Sequence, residues 1–383
     1  MMLSEVNQSE MYLIKEDTGY NKYIYNELEE KITEASSIWD GTMTEPQRNS
    51  EGVYIIDSAE KLAYVVYNGG AMIVGTEIIA DPEMTPEGDK IYVNKEVPVY
   101  DYNCTFLITK DIYLNDINKI NWTTGTAVSG YTANKWYSNN TEAGQRANSA
   151  FSGTIDGGYH TIHGIYIPYK WSFSGVATDN GAGFIAGTAS NSNTIIKNLN
   201  IDNAFMKSRG HTGGIIGITK GTVNIDSCSV GANVHLGGSS VGAIRAGGRS
   251  DYSVVTVNNC YSLADLNLTD STGASTTIKG LFGYFWDKTI NIDSSFNGNG
   301  PICSTDYNKT KIKNCYATEE IVALEGATII TAENMQGLDV LTNSEKMPLL
   351  NNHIFKATET YPVFKFAAFG MVKVDDAITK EYR

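Results

Sequence analysis

The sequence predicts an all-β chain wound as a solenoid of parallel strands, because one short phrase recurs between Ile195 and Leu324. Each copy has an apolar first residue, a polar second, Asn or Ser third, and an apolar or small fourth. The copies are Ile196-Lys197-Asn198-Leu199, Ile225-Asp226-Ser227-Cys228, Val257-Asn258-Asn259-Cys260, Ile292-Asp293-Ser294-Ser295 and Ile312-Lys313-Asn314-Cys315. They start 29, 32, 35 and 20 residues apart, about one solenoid turn with variable loops.

Each copy is predicted to be one rung of a stack. Asn or Ser at the third position is a bend residue that interrupts strict strand alternation. We therefore expect Ile225, Val257, Ile292 and Ile312 to bury in one continuous internal column, with the second position facing solvent.

Glycine-bracketed apolar pieces recur roughly in step with the rungs, so each turn is predicted to carry at least two strands. They are Gly183-Phe184-Ile185-Ala186-Gly187, Gly213-Gly214-Ile215-Ile216-Gly217, Val241-Gly242-Ala243-Ile244 and Gly280-Leu281-Phe282-Gly283. Glycine permits close backbone approach and turn conformations. The chain has 37 Gly and only 8 Pro, which suits tight turns between short strands.

The N-terminal region is predicted to contain an amphipathic helix over residues 20–35. Ile24, Leu28 and Ile32 are four positions apart, a spacing typical of one helix face. Because such a stripe needs a partner surface, we expect these three residues to form an assembly interface.

A second helix is predicted after a short strand at 53–56. Asp57 and Glu60 resemble a capping box, Leu62, Val65 and Val66 share one face, and 68–70 (Asn-Gly-Gly) ends it. A helix here would close the open end of the solenoid, whose first turn would otherwise expose its core.

The remaining elements complete a division into four segments. Short strands are expected at 91–93, Thr105–Ile108 and 112–114, a large loop at 123–149, a final helix at 331–341 and a closing strand at 361–366. The segments are 1–50 (helical, assembly), 51–150 (cap and first coils), 151–325 (repeats) and 326–383 (C-terminal cap and tail).

Composition and charge narrow the function. A net charge of −14 argues against a nucleic-acid partner, since phosphate binding rests on Lys and Arg. No stretch reaches the length of a membrane span. The N-terminus has neither a basic start nor an apolar run, so we expect either no signal peptide or one already removed.

The five cysteines predict neither a disulfide framework nor a zinc site, because their number is odd and no CxxC pair occurs. Cys228, Cys260 and Cys315 share the fourth rung position. We expect them to be small buried hydrophobic residues stacked in a column.

The segment Phe151-Ser152-Gly153-Thr154-Ile155-Asp156-Gly157-Gly158-Tyr159-His160-Thr161-Ile162-His163-Gly164 is similar to the first coil of bacterial right-handed β-helix proteins that carry GLUG motifs. The glycine-bracketed pieces and the Asn-Cys-Tyr strings at 259–261 and 314–316 resemble their repeats, and 56–63 resembles the preceding helix. The resemblance spans about residues 52–366 and implies a right-handed parallel β-helix of the pectate-lyase type. It also implies a surface-exposed, adhesin-like role.

Two sets of polar residues are candidates for chemistry. Asp156, His160 and His163 lie within eight residues and resemble an acid/base set, but Asp-Gly is a turn dipeptide and 160 and 163 point to opposite faces of a strand. The second rung position is occupied by Lys197, Asp226, Asn258, Asp293 and Lys313. Because its charges alternate, this position predicts a solvated face rather than the converging acids of a polysaccharide-cleaving site.

Other motifs predict little chemistry. The string Gly238-Ser239-Ser240-Val241-Gly242 lacks the strand-turn-helix setting of a nucleophile elbow. Two short loops, Asp179-Asn180-Gly181 and Asn297-Gly298-Asn299, have the composition of ordinary turns. Binding of Ca²⁺ by these loops is an open alternative, and no other cofactor is expected. Aromatic residues are the remaining signal, and the expected ligand-binding set is Trp136, Tyr137, Tyr169 and Trp171.

The sequence therefore predicts a non-catalytic recognition, adhesion or scaffold protein outside a bacterial cell. Its partner is expected to be a glycan or protein of a host or cell surface, with homo-oligomerisation open and no membrane insertion. One alternative is a phage structural protein such as a fibre, tailspike or head decoration. Another is a polysaccharide lyase or glycosidase, which would place several carboxylates together on the rod's flank.

Overall fold

A computed structural model shows a mostly β chain with parallel sheets and, among the described residues, one α-helix. It describes residues 9–16, 19–26, 38–84, 90–101, 104–136, 150–168, 181–190, 192–248, 253–270, 273, 278–284, 287–303, 310–320, 324–365, 371–375 and 378–382. Strands within 9–26, 71–101 and 371–382 are described by backbone pairing alone. Among the described residues no helix is long and apolar enough to cross a membrane.

Sheets 1 and 2 are the long parallel sheets, each with eight described strands. The strands of sheet 1 are Tyr54–Ile56, Thr105–Ile108, Gly153–Asp156, Asn193–Lys197, Thr222–Asp226, Val254–Asn258, Thr289–Asp293 and Thr310–Lys313. Those of sheet 2 are Ile112–Tyr113, Thr161–His163, Asn200–Asp202, Ser229–Val230, Tyr261–Ser262, Phe296–Asn297, Cys315–Ala317 and Ala327–Ile329. In both sheets spatial order follows chain order, so each new strand is laid on the preceding one.

Sheets 3 and 4 are shorter and also parallel. Sheet 3 contains Tyr166–Ile167, Ala204–Lys207, Val234–Gly237 and Asp265–Leu268. Sheet 4 contains Gly181–Ala182, Ile185–Gly187, His211–Gly213, Ile216–Thr219, Ser240–Gly248 and Ile278–Tyr284. Four times in succession the chain visits sheets 1, 2, 3 and 4 and then returns to sheet 1.

The predicted internal column is confirmed. Ile196, Ile225, Val257, Ile292 and Ile312 are register partners on adjacent strands of sheet 1. The first four are fully buried, and Ile312 on the last strand is half-buried against the same core. All five cysteines are buried, which confirms the burial predicted for Cys228, Cys260 and Cys315.

The helix Ala59–Asn68 closes the first end of the core with Leu62, Val65 and Val66. It begins one residue later than expected, because the N-cap is Ser58, whose hydroxyl accepts from the Lys61 amide. Asp57 instead forms an ion pair with Lys61 at 2.7 Å. Gly69 ends the helix with φ 77°, as predicted.

Residues 20–26 are not helical, and the predicted helix is wrong where the structure describes it. Gly19–Asn26 is a strand that pairs antiparallel with Ser9–Glu16, so Ile24 lies in a sheet. A spacing of four is also a multiple of the strand period of two, and the Tyr-rich segment favours a strand. Leu28 and Ile32 lie outside the described residues. The same sheet contains Met371–Asp375 and Ile378–Tyr382, the former paired with Gly19–Asn26.

One further expectation is confirmed with longer bounds and another is wrong. The predicted strand at 91–93 is part of the strand Lys90–Asp101, which forms a long antiparallel hairpin with Ala71–Met84. The predicted final helix at 331–341 is wrong, because only a 3₁₀ turn is present, at Glu333–Met335. Gly337, with φ 102°, prevents this turn from continuing as a helix. Phe355–Lys356 pairs with Val363–Phe364, which confirms an extended segment near the expected closing strand. The remaining short hairpin joins Ile120–Asn121 to Thr126–Ala127.

The glycine-bracketed pieces contain close backbone approaches in sheet 4, where the strand register shifts. A Cβ at Gly213 would overlap the carbonyl oxygen of Ile216, and one at Gly242 would overlap that of Arg245. Gly187, in the same sheet, has room, since a Cβ there would lie 3.5 Å from the Ile218 carbonyl oxygen. Only some of these glycines are therefore required for backbone approach.

Gly213→Ala is expected to lower the free energy of unfolding by about 1–3 kcal/mol, because the backbone must shift to admit the methyl group. Gly187→Ala, the matched control, is expected to stay within about 0.5 kcal/mol of the original protein. Urea unfolding followed by circular dichroism measures both. Equal losses for the two variants would contradict the assignment of a close approach to Gly213.

Candidate functional site

The outer face of sheet 1 carries an ordered ladder of polar residues, here called the corner row. It consists of Asp156, Lys197, Asp226, Asn258, Asp293 and Lys313, which are register partners on six adjacent strands. The alternating, solvent-facing column predicted from the rungs is thus present. It runs along the corner where the chain leaves sheet 1 for sheet 2.

The residue after each corner-row position from Lys197 onward turns the chain in the left-handed conformation. These residues are Asn198, Ser227, Asn259, Ser294 and Asn314, with φ between 50° and 54°. Asn and Asp tolerate this conformation better than other non-glycine residues because their short side chains form local hydrogen bonds. The bend predicted from the third rung position is therefore a stacked series of left-handed residues.

The corner-row carboxylates accept hydrogen bonds from the side chains of these turn residues. Asp226 Oδ1 accepts from Ser227 Oγ at 2.8 Å in its own rung and from Asn259 Nδ2 at 3.0 Å in the next. Asp293 repeats the pattern with Ser294 at 2.9 Å and Asn314 at 3.0 Å. From Lys197 onward, rungs with Asp at the corner row and Ser at the turn thus alternate with rungs that have Asn at the turn.

Lysines complete the electrostatic balance of the row. Lys197 Nζ lies 3.0 Å from Asp156 Oδ2, and Lys313 Nζ lies 3.9 Å from Asp293 Oδ2. Successive acids are two strands apart, about 10 Å from a strand spacing of roughly 4.8 Å. The row therefore holds its acids apart and hydrogen-bonded, an arrangement suited to rigidity and not to acid/base chemistry.

Tyr159 links the corner row to the C-terminal segment. Its ring packs against Phe364 with centroids 5.8 Å apart. Burial raises the pKa of Tyr159 to about 12, and the negative charges of Asp226 and Asp156 act in the same direction. A hydrogen bond with Ser227 lowers the pKa but does not outweigh these effects. The phenol is thus a neutral hydrogen-bonding group throughout the physiological pH range.

A second outward row, the middle row, lies two residues before the corner row on each strand. It consists of Thr154, Ile195, Asn224, Thr256, Asn291 and Lys311. Among the described residues, the side chains of Thr256 and Asn291 make no hydrogen bond, and Asn224 makes only a long one of 3.4 Å to Asn193. Unlike the corner-row carboxylates, the side chains of Thr256 and Asn291 therefore present donors and acceptors to solvent.

Sheet 2 is covered on its outer face over its later strands. Residues 330–364 pack there and form a second hydrophobic cluster with the outward aromatic rings of the sheet. Its buried members are Tyr261, Phe296, Tyr316, Met335, Val340, Met347, Leu350, Phe355 and Phe364. Tyr261 and Phe296 stack at 5.0 Å with an interplanar angle of 3°. The predicted C-terminal cap therefore lies along the side of the stack.

Sheet 3 is covered over its first strands by the segment 117–133. Ile120 and Trp122 from this segment bury against Phe205, beside Tyr166 and Leu268. Middle-row residues of sheet 1, in contrast, are half-exposed or exposed. Within the described part of the chain, the outer face of sheet 1 is the long polar surface that stays open.

Trp136, a member of the predicted ligand-binding set, lies in the core and not on the surface. It is fully buried, with Nε1 donating to the Phe184 carbonyl at 3.0 Å and its ring packed against Trp39 and Tyr67. Its indole fills the core beside the capping helix, where an amphipathic ring satisfies its one donor internally. Tyr137, Tyr169 and Trp171 lie outside the described residues.

The histidines near Asp156 do not form an acid/base set. His160 is buried with Nδ1 3.2 Å from Asp111. His163 places Nδ1 3.0 Å from Asn203 Oδ1 and stacks on Tyr113 at 4.6 Å. Each therefore has a separate partner, and Asp156 is occupied by Lys197.

The remaining motifs are structural in the described residues. Ser240, in the Gly-x-Ser-x-Gly string, begins a buried strand and donates to the Ala246 carbonyl at 3.1 Å. Asn297 donates to the Pro301 carbonyl at 2.8 Å, as in an ordinary turn, while residues 179 and 180 lie outside the described part. Among the described residues no group of three metal-ligating side chains occurs.

Sequence reasoning missed a polar network on sheet 3, centred on His235 and Asp265. His235 Nδ1 lies 3.1 Å from Asp265 Oδ2. Asp265 Oδ1 also accepts hydrogen bonds from the backbone N–H and from the side-chain Nδ2 of Asn267, each at 3.0 Å. Burial raises the pKa of Asp265, but the hydrogen bonds from Asn267 and His235 outweigh it, so the pKa lies below its usual value. Lys279 extends the network by donating to Asn267 at 2.8 Å.

Sequence reasoning also missed a fully buried ion pair between Arg245 and Asp287. Arg245 occupies a position equivalent to Ile216 and Phe282 in sheet 4, and its guanidinium also donates to Thr219 Oγ1 at 2.8 Å and to the Tyr284 carbonyl at 3.1 Å. Burial lowers the pKa of Arg245, and the charge of Asp287 opposes this shift. The sequence signal that could have indicated this pair is an Arg that directly follows the apolar piece Val241-Gly242-Ala243-Ile244.

Comparison of the chain with protein-family models, curated proteins and solved structures finds no match.

Asp287→Asn is expected to cost about 3–5 kcal/mol of unfolding free energy, because it leaves the Arg245 charge buried without compensation. Combining it with Arg245→Met removes both charges, so the double variant should lose less than the sum of the two single losses. Lys313→Met, at an exposed ion pair, should stay within about 0.5 kcal/mol. Strictly additive losses in denaturant titrations would contradict the buried pair.

Proposed function

We propose that this chain is a right-handed parallel β-helix that serves as a recognition or scaffold protein outside a bacterial cell. Supporting the β-helix are the repeated visits to sheets 1 to 4 and the in-register stacking of each coil on the preceding one. Parallel crossover connections are right-handed in nearly all proteins, which favours that hand here. The GLUG-like segments at 151–164 and at the glycine-bracketed pieces support the same architecture and location.

The observation that carries the functional proposal is the contrast between the two outward rows of sheet 1. Carboxylates of the corner row are already hydrogen-bonded, so this row stiffens the surface. Among the described residues, the middle-row side chains of Thr256 and Asn291 lack such partners, and Asn224 makes only a long hydrogen bond of 3.4 Å. Because unused hydrogen-bonding groups are set on a rigid sheet, a partner can bind them without ordering flexible side chains first.

A recognition role also fits the way that the other faces are used. Residues 330–364 cover the later strands of sheet 2, and residues 117–133 cover the first strands of sheet 3. Both segments bury apolar rings, whereas the face of sheet 1 is polar and stable in water without a cover. We therefore assign partner binding to the outer face of sheet 1.

The triple variant Asn224→Lys, Thr256→Lys and Asn291→Lys tests this assignment. It places three long, charged side chains on the middle row and is expected to reduce binding of the labelled protein to intact bacterial or animal cells at least tenfold. Flow cytometry measures the binding, and circular dichroism confirms that the variant folds. The side chains face outward, so folding should be retained.

The matched control adds the same charge elsewhere, with Asn118→Lys, Ser344→Lys and Asn352→Lys at exposed positions. It is expected to bind cells as the original protein does. Equal binding by both triple variants would show that sheet 1 is not the recognition surface. A folded original protein that binds neither class of cell would contradict the recognition role itself.

A further inference from the structure

We infer that the outer face of sheet 1 binds a linear, uncharged polysaccharide lying across the strands, along the middle row. This inference rests on the proposed function and names the class of partner. It starts from the repetition of the face. Asn224, Thr256 and Asn291 occur on three consecutive strands at one register position, about 4.8 Å apart. A row that repeats in this way is matched best by a partner that repeats too.

The chemistry of the middle row matches hydroxyl groups. An Asn side chain offers two donors and one acceptor, and a Thr hydroxyl offers both functions. A sugar hydroxyl also donates and accepts, so each rung can exchange hydrogen bonds with one sugar residue. The side chains of Thr256 and Asn291 need break no hydrogen bond to another described residue to do so, and only exchange water for a sugar hydroxyl.

The charge of the face excludes a strongly charged polymer. Corner and middle rows together contain the acids Asp156, Asp226 and Asp293 and the lysines Lys197, Lys311 and Lys313, three of each sign. The face is thus neutral in a chain of net charge −14. An acidic polysaccharide would be repelled by the protein as a whole, and a basic protein would be drawn to other surfaces.

The shape and composition of the face predict how the polymer binds. Neither row contains an aromatic residue, so no single stacking contact anchors a sugar. Each rung then contributes only a weak hydrogen-bonded contact. Affinity has to come from several rungs engaged at once by one connected ligand, as in multivalent binding.

The test is isothermal titration of the full chain with unbranched β-glucan oligosaccharides of increasing length, starting from the disaccharide. Affinity is expected to rise with each added sugar residue until the oligosaccharide spans the row, and to change little with salt. Thr256→Ala combined with Asn291→Ala should weaken the longest oligosaccharide about tenfold, since two hydrogen bonds are lost. Asn352→Ala, exposed and away from sheet 1, should have no effect.

Three results would overturn the inference: no binding of any oligosaccharide, affinity that does not depend on length, or tighter binding of polygalacturonate than of the neutral glucan. The cell-binding experiment separates this failure from that of the proposed function. If no glucan binds but the triple lysine variant still loses cell binding, sheet 1 is the recognition surface and the class of partner is wrong. If the lysine variant binds cells normally, both proposals are wrong.

Discussion

Strict register between successive parallel strands is the constraint on which the rest of the structure depends. Within sheet 1, a residue at one rung position faces the same position on the next strand, from Gly153–Asp156 to Thr310–Lys313. A slip of one residue would move every internal Ile and Val to solvent. From Lys197 onward, the left-handed residue after each corner-row position fixes where the chain turns, and the turn fixes the register. Backbone conformation and burial therefore specify the same alignment.

The alternation of Asp-Ser and Asn rungs solves an electrostatic problem created by that register. Stacking identical residues would place carboxylates on adjacent strands, where like charges destabilise the sheet. Asp226 and Asp293 are separated by Asn258, and each carboxylate accepts hydrogen bonds from the turn residues of its own rung and the next. The turn residue thus has two functions, since it adopts the left-handed conformation and its side chain supports a neighbouring charge.

Much of the fold could be predicted from sequence because the signals were repeated. The column of Ile225, Val257 and Ile292, the stacked cysteines and the capping helix all follow from local pattern. Predictions failed where a signal occurred once or had two meanings. The spacing of Ile24, Leu28 and Ile32 fits a strand as well as a helix, and Trp136 gave no sign of whether its ring would bury. The pairing of Arg245 with Asp287 joins residues 42 apart, and no local rule connects them.

Covering segments explain why a polar face can remain open on this stack. Outward aromatic rings of sheet 2, such as Tyr261 and Phe296, would expose an apolar surface if residues 330–364 did not pack on them. Sheet 1 has no such rings in its corner and middle rows, so covering it would bury amide and hydroxyl groups and require new partners for them. Because Thr256 and Asn291 have no such partners among the described residues, the middle row remains available to an external ligand. The distribution of aromatic and amide residues between the two long sheets therefore determines which face is used for packing and which is available for binding.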